Sequence, residues 1–598
     1  MITDISSRNK LGKSQYKILE VFEKKHKIKM LLMFLFMFIV SFLELLSIGT
    51  ILPVFSVIFN QDYLLKVNNF FENTTILNIQ FESHEDLIFY SLVVFFLVFT
   101  FKNMILVIYN WVQQSFSKDF IDHLSISLFE VFINQPYEFY FNAKSSDLVR
   151  DLNSEPSALV KNLFIPLCIM IMESIILVGL VSFLIFFYGS YAAGALVIVL
   201  GIIGTTLYFT RNIIKKWGGL RYQFETQKIK TITESFDNIK DIIIKTKNNF
   251  FFQRFQKFVK LVTKSILFGG FYKTLPKILV EQLIIVLFII YFLFYYNLEA
   301  IDDNFFAKLI FLGTILIRVV PGLIRLSSSY QTIKFAAIGA ENIYEFLNIN
   351  KRTILDSKKE IEFNNCIEFQ NVDYKFEGYD KNVLSSINFK IKKNQTIGIV
   401  GRTGSGKTTL LDVFLGLLKP TAGRILVDKR DCTFELNQSG WHKKIGYISQ
   451  NVTLIDDTIK NNIALGITED QIDINTINDV IIKANLREFI DSLTDGIETI
   501  VGEKGIKLSG GQIQRLGIAR AIYSDPEILC LDEATSSLDY QTENEILKTM
   551  MTIKKNKTVI IIAHRLKTIE NCEEIIELSN GKINRITTPK EILKNSNN

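Results

Sequence analysis

Eight consecutive residues, Gly401-Arg402-Thr403-Gly404-Ser405-Gly406-Lys407-Thr408, have the types and spacing needed to hold a polyphosphate. They satisfy the pattern G-x-x-x-x-G-K-[ST], and Thr409 follows. Glycines let successive backbone N–H groups curl around a phosphate without Cβ clashes. A helix start adds its dipole, Lys407 reaches the β/γ-phosphates, and the Thr408 hydroxyl can hold Mg²⁺. The pattern therefore predicts a site for a nucleoside triphosphate. Such a loop needs a strand before it and a helix after it. Thr396 to Val400 is apolar enough for the strand, and Thr408 to Leu418 has helical periodicity.

The rest of the 598-residue chain must position that loop, and its composition is unlike an ordinary soluble enzyme. Hydrophobic residues make up 48% and Phe alone numbers 50, concentrated in long runs of the first half, as membrane helices require. The net charge of +6 is spread without one long basic tract, so nucleic acid is not expected as a partner. Cys168, Cys366, Cys432, Cys530 and Cys572 show no metal-ligand or disulfide spacing. The lysine-rich start carries no cleavage site, so no removable signal peptide is expected.

Six apolar runs are predicted to span a bilayer: about 30–59, 87–112, 164–187, 191–209, 275–296 and 305–324. The third and fourth are joined by a very short turn. Basic residues precede the first run and acidic ones follow it, which places both termini in the cytoplasm of a multi-pass protein of the cytoplasmic (inner) membrane. Polar insertions after the second and fourth runs then fall in the cytoplasm. The segments 145–153 and 236–247 at their far points are expected to be short helices that touch the nucleotide domain. The expected organisation is a membrane domain over 1–345, a linker over 346–360 and a nucleotide-binding domain over 361–598.

Four basic residues sit within the spans: Lys102, Lys277, Arg318 and Arg325. Each costs about 2.5–3.5 kcal/mol at mid-bilayer if left facing lipid. They must face a watery cavity, pair with acids, or snorkel to an interface. Glu44, Glu173 and Glu281 are the available acids. The preferred expectation is a cationic track for an anionic, phosphate-containing headgroup, with these four residues as candidate substrate contacts.

Beyond residue 361, short β-rich runs alternate with helices, as in an α/β nucleotide domain. Gln450, Leu508-Ser509-Gly510-Gly511-Gln512, Ile528 to Glu533, Ser536-Ser537-Leu538-Asp539 and His564 stand in the order and spacing of ABC transporter ATPases. The whole chain resembles the exporter type, a six-span α-helical membrane domain followed by an α/β P-loop ATPase domain. The resemblance implies that Phe376 stacks on adenine, with Tyr374 a weaker alternative. It implies that Gln450 and Asp532 join Thr408 around Mg²⁺, that Glu533 orients or deprotonates the lytic water, and that His564 donates to the γ-phosphate. Ser509, Gly510, Gly511 and Gln512 would face the phosphate loop of a second chain, so a homodimer sandwiching two ATP molecules is expected. Thr499 to Gly505 resembles the exporter segment that couples this signature to the membrane domain.

The membrane half resembles the PglK-type flippases for lipid-linked oligosaccharides of bacterial protein glycosylation, through Ser41-Phe-Leu-Glu44 to Pro53, through Arg318-Val-Val-Pro321 with Arg325, and through Lys102 and Lys277. That resemblance implies a polyprenyl-pyrophosphate glycan moved from the inner to the outer leaflet, so the expected partners are membrane lipid and an anionic lipid-linked glycan. The segment 60–86 is expected either as a small amphipathic external helix or as a loop. Two alternatives remain open: export of peptides, drugs or other lipids, and a regulatory ABC protein that moves no substrate.

Overall fold

The computed structural model describes residues 24–59, 64–65, 67–68, 81, 83–297, 305–349, 361–433, 439–533, 557–563 and 566–591, with isolated residues between 543 and 549. Within 187–200, and at scattered positions of 280–316, only the backbone is described. The chain divides into two compact units, 1–135 with 142–354 and 136–141 with 355–598.

The first unit is helical. Its elements are α1 (Lys24–Gly49), α2 (Ile51–Phe59), α3 (His84–Ile133), α4 (Tyr137–Asn142), α5 (Ser145–Asn153), α6 (Glu155–Leu159), α7 (Ile165–Asp237), α8 (Ile239–Ile244), α9 (Asn248–Asn297) and α10 (Phe305–Ile349). All but α4, which goes almost entirely with the second unit, belong to it. Among the described residues, Lys27–Phe59, His84–Ile133 and Glu155–Phe186 are long and apolar enough to cross a membrane. Ser83 starts α3 by accepting from the Asp86 N–H, and Glu85 and Asp86 complement the helix dipole.

Helix α7 carries the third and fourth apolar runs, and it cannot be straight. Glu155, just before it, lies 3.2 Å from Arg221, whereas 66 residues of straight helix would separate them by roughly 100 Å. The chain therefore doubles back, with Leu184 and Ile203 packed in one cluster beside Ile315, Val319 and Leu323 of α10. The reversal lies between Leu184 and Ile203, in a stretch whose backbone is helical throughout, including residues 188–190 where a turn was expected.

The segments expected as short cytoplasmic helices are α5 and α8. Helix α5 buries Arg150 and Asp151 against the second arm of α7. Arg150 donates to the Tyr222 hydroxyl at 2.6 Å, to Asp151 at 2.9 Å and to Thr226. Helix α10 continues to Ile349, into the stretch read as linker. Of the expected external segment, Leu64, Leu65, Val67 and Asn68 are helical; Tyr63, Phe70 and Phe71 lie outside the described residues.

The second unit holds two sheets. Strands β1 (Cys366–Tyr374), β2 (Leu384–Lys392), β4 (Ala422–Val427) and β5 (Arg430–Asp431) form an antiparallel sheet in the order β2-β1-β4-β5. Strands β3 (Thr396–Gly401), β6 (Ile445–Ile448), β7 (Ile528–Asp532), β8 (Thr558–Ile562), β9 (Glu574–Ser579) and β10 (Lys582–Thr587) form the order β10-β9-β3-β8-β7-β6. The central strands are parallel, and only β10 runs against its neighbour. Strands β7 and β8 are buried along their whole length, which explains their unbroken apolar spelling. Helix α11 (Lys407–Phe414) packs Leu410, Leu411 and Phe414 against Ile397 and Ile399 of β3.

Candidate nucleotide site and the buried charges of the membrane unit

The phosphate loop connects the carboxyl end of β3 to α11, the position where open parallel sheets bind ligands. Gly404 and Gly406 adopt φ of +80° and +102°, which side-chain-bearing residues rarely take, and Gly406 caps α11. A Cβ at Gly401 would stand 2.4 Å from the Leu578 carbonyl oxygen, so only glycine fits that approach. Lys407 is buried, and its ammonium donates to the carbonyls of Gly401 at 3.0 Å and Arg402 at 3.4 Å. Burial lowers its pKa against the opposing pull of Glu533 and Asp532. The Ser405 hydroxyl is buried with no hydrogen-bond partner among the described residues. A cradle of left-handed glycines, a held lysine and an orphaned hydroxyl fit a bound phosphate. Arg402, Thr403 and Thr408 are exposed beside it, and Thr409 is half-buried.

Two neighbouring strands bring the acids to the same end. Strand β7 ends at Asp532, which is buried, and Glu533 follows at φ +48° with its N–H donating to the Ile562 carbonyl at 3.1 Å. The turn aims the Glu533 carboxylate at Gln450, whose amide donates to it at 2.9 Å from just beyond β6. His564 and the Ser536 to Asp539 segment lie outside the described residues.

Phe376, just after β1, is half-buried and meets Tyr374 edge-on at 5.0 Å. Tyr374 is itself buried inside the sheet, as its inward strand position requires. Its hydroxyl is pushed up to about 12 by burial and by its hydrogen bond to Glu138. Phe141 presents its ring edge-on to Phe376 at 5.5 Å. Glu138 and Phe141 come from the segment 136–141, almost the whole of α4, more than two hundred residues away in sequence. The sequence reading missed both; the clustering of Tyr137, Tyr140 and Phe141 in a polar stretch was the available signal. It also missed Asp412, an acid in the apolar run Leu410-Leu411-Asp412-Val413-Phe414. Burial and the nearby Asp532 raise its pKa to about 7.

The signature residues open a second helix, α12 (Gly510–Tyr523). Ser509 caps it in a reciprocal box: its N–H donates to Gln512 Oε1 at 2.8 Å, and its oxygen accepts from the Gln512 N–H at 3.3 Å. Capping uses that oxygen only as an acceptor, which leaves the hydroxyl proton for another anion. In the 499–505 segment, Gly502, Lys504 and Gly505 all take positive φ, so its shape is set locally.

In the membrane unit, three of the four expected cations join one chain of ion pairs. Lys102 pairs with Glu44 at 3.3 Å, Arg318 with Glu44 at 2.7 Å and Glu173 at 3.2 Å, and Arg325 with Glu173 at 2.6 Å. Three cations against two carboxylates leave one positive charge. Lys277 stands apart, 3.8 Å from Glu281 on its own helix face and about half exposed. Pairing with acids, one of three outcomes weighed from the sequence, thus accounts for the deeper residues.

Residues 384–536 match the family described as "ABC transporter". The chain is 39% identical over 279 residues to the alpha-hemolysin translocation ATP-binding protein HlyB of Escherichia coli O157:H7, covering 46% of this chain and 39% of that protein. It is 43% identical over 221 residues to the ATP-dependent lipid A-core flippase of Bordetella avium (strain 197N), covering 36% of each. The chain thus spans well under half the length of these relatives. A solved bacterial Atm1-family ABC exporter with ATP bound superposes with a TM-score of 0.78 at 20% identity, over 95% of this chain and 96% of that one. The fold is that of an ABC exporter, a helical membrane domain followed by an ABC ATPase domain. The family match itself covers the ATPase domain, and one polypeptide carries that domain together with the helical one.

Proposed function

We propose that the protein is an ATP-driven flippase that works as a homodimer in the cytoplasmic membrane and moves an anionic lipid-linked oligosaccharide from the inner to the outer leaflet. The observation that carries the engine is the Gln450–Glu533 pair at 2.9 Å beside a fully formed phosphate loop. In this reading Glu533 would accept a proton from water, Gln450 would orient that water, and Lys407 would meet the β/γ-phosphates. Mg²⁺ would be held by Thr408, Gln450 and Asp532 and would offset phosphate charge. Ser509, with Gly510, Gly511 and Gln512, would reach the second chain's nucleotide. ATP favours the closed pair because its γ-phosphate touches both partners, and hydrolysis removes that advantage. His564 would donate to the γ-phosphate, and Phe376 would stack on adenine.

The cargo is supported by the residual positive charge of the Lys102, Arg318 and Arg325 cluster, with Lys277 nearer the interface. The relatives' names favour a second reading, export of a toxin polypeptide or of lipid A. A leaflet-resolved assay in proteoliposomes separates them. A pyrophosphate-linked glycan should flip with native protein and ATP and stay put with Glu533→Gln. Stimulation of ATPase activity by peptide or lipid A, with none by the linked glycan, would overturn the cargo and leave the engine standing.

A further inference from the structure

The second arm of α7 and helix α10 run side by side and in parallel. Gln331 donates to the Thr210 hydroxyl at 3.3 Å, a Cβ on Gly218 would meet the Phe335 carbonyl oxygen at 2.1 Å, and Asn342 donates to the Tyr222 hydroxyl at 2.6 Å. This register sets Lys334 opposite the turn that runs from Arg211 to Lys215. The three cations crowd one another. Lys334 is held below the usual lysine range by burial, then by Lys215 and Arg211, with only Glu341 pulling the other way.

Other basic residues of this unit do have acids. Arg221, farther along the same arm, pairs with Glu155 and Glu225, and the deeper Arg318 and Arg325 share Glu173. Among the described residues neither Arg211 nor Lys215 has a carboxylate within ion-pair distance. Aromatic rings lie under two of the three: Arg211 over Tyr208 at 4.5 Å, and Lys334 over Tyr330 at 5.4 Å. Tyr208 and Phe209 are 60% and 73% exposed at the end of an apolar run that Arg211 follows by two residues. Exposed aromatics beside cations mark a membrane–water boundary, where the abundant anion is a lipid phosphate.

We propose that Arg211, Lys215 and Lys334 form a seat for the phosphate of a resident anionic phospholipid. A phosphate takes the Arg211 guanidinium through paired hydrogen bonds and the two lysines as point charges. The seat neutralises charge the chain leaves unpaired where two helices touch backbone to backbone. It is separate from the Lys102–Arg318–Arg325 cluster, so it stands whatever the cargo is.

The test uses the purified full chain in detergent, with phosphatidylglycerol, phosphatidylcholine or inorganic phosphate added. Retained lipid is counted by native mass spectrometry and stability is followed by thermal unfolding. Phosphatidylglycerol is expected to bind and raise Tm; phosphatidylcholine and phosphate are expected to do neither. Affinity should fall roughly fivefold per basic residue neutralised, so Arg211→Gln with Lys215→Gln and Lys334→Gln abolishes the shift. A control with Lys240, Lys245 and Lys247 changed to Gln should keep it. If the triple variant does not fold, the single Gln variants, each expected to bind about fivefold more weakly, and Lys334→Arg, expected to bind as the native chain does, serve instead. Unchanged phosphatidylglycerol retention in the triple or single Gln variants overturns the proposal, and so does an equal Tm shift from inorganic phosphate.

Discussion

Glu173 is 1% exposed and joins two arginines, so it is the place to test whether the membrane charge cluster holds the helices together. Changing Glu173→Gln preserves shape but leaves Lys102, Arg318 and Arg325 with Glu44 alone, raising the residual charge from one to two. Removing one partner of a buried pair costs about 3–5 kcal/mol. Arg325 is 44% exposed and relaxes away cheaply, whereas Arg318 at 17% cannot. The expected cost is therefore at the lower end, about 3 kcal/mol. Thermal unfolding in detergent should show a Tm lowered by several degrees. A cycle with Arg318→Gln should recover part of the loss, because the double variant no longer buries that unpaired cation. If the cluster also receives an anionic headgroup, Glu173→Gln binds that lipid more tightly while being less stable. Arg318→Gln lowers both. Strict additivity with Arg318→Gln, together with an unchanged Tm, would refute the reasoning that Glu173 is the pivot.

Glu533→Gln should retain ATP binding and lower phosphate release about 10²–10⁴-fold, the range of a general base; near-native turnover would remove Glu533 from that role. Phe141→Ala withdraws the ring that backs Phe376, a contact of about 0.5–1.5 kcal/mol, so KM for ATP should rise about two- to tenfold with kcat kept, and Phe141→Tyr should restore it. Equal losses in kcat and KM effects shared by Phe141→Tyr would point to misfolding instead. Asp412, raised to about 7, binds its proton more tightly in the folded than in the unfolded chain. Native stability should therefore fall as pH rises from about 4 to 7 and level off above, relative to Asp412→Asn. Parallel stability–pH curves for the two proteins would contradict this.

The chemistry of the nucleotide site was written locally, and so it could be read from spelling. A phosphate loop is eight contiguous residues whose backbone shape depends on its own glycines, and Gly404 and Gly406 take the positive φ that their identity permits. The Ser509–Gln512 capping box likewise spans only four residues. The apolar runs announced the helical membrane domain because bilayer thickness sets their length.

Tertiary structure decided what lies between distant segments. The sequence named Lys102, Arg318, Arg325, Glu44 and Glu173 as cations and available acids, but only helix packing chose which acid serves which base, across separations as large as 274 residues. The same holds for Phe141 and Glu138 behind Phe376 and Tyr374, and for Asp412 beside Asp532: none has a local signature. Ion pairing and burial depend on distance in space, and composition along a strand or helix carries no record of that distance. What the sequence by itself determined was which groups could do chemistry; the fold determined which of them meet.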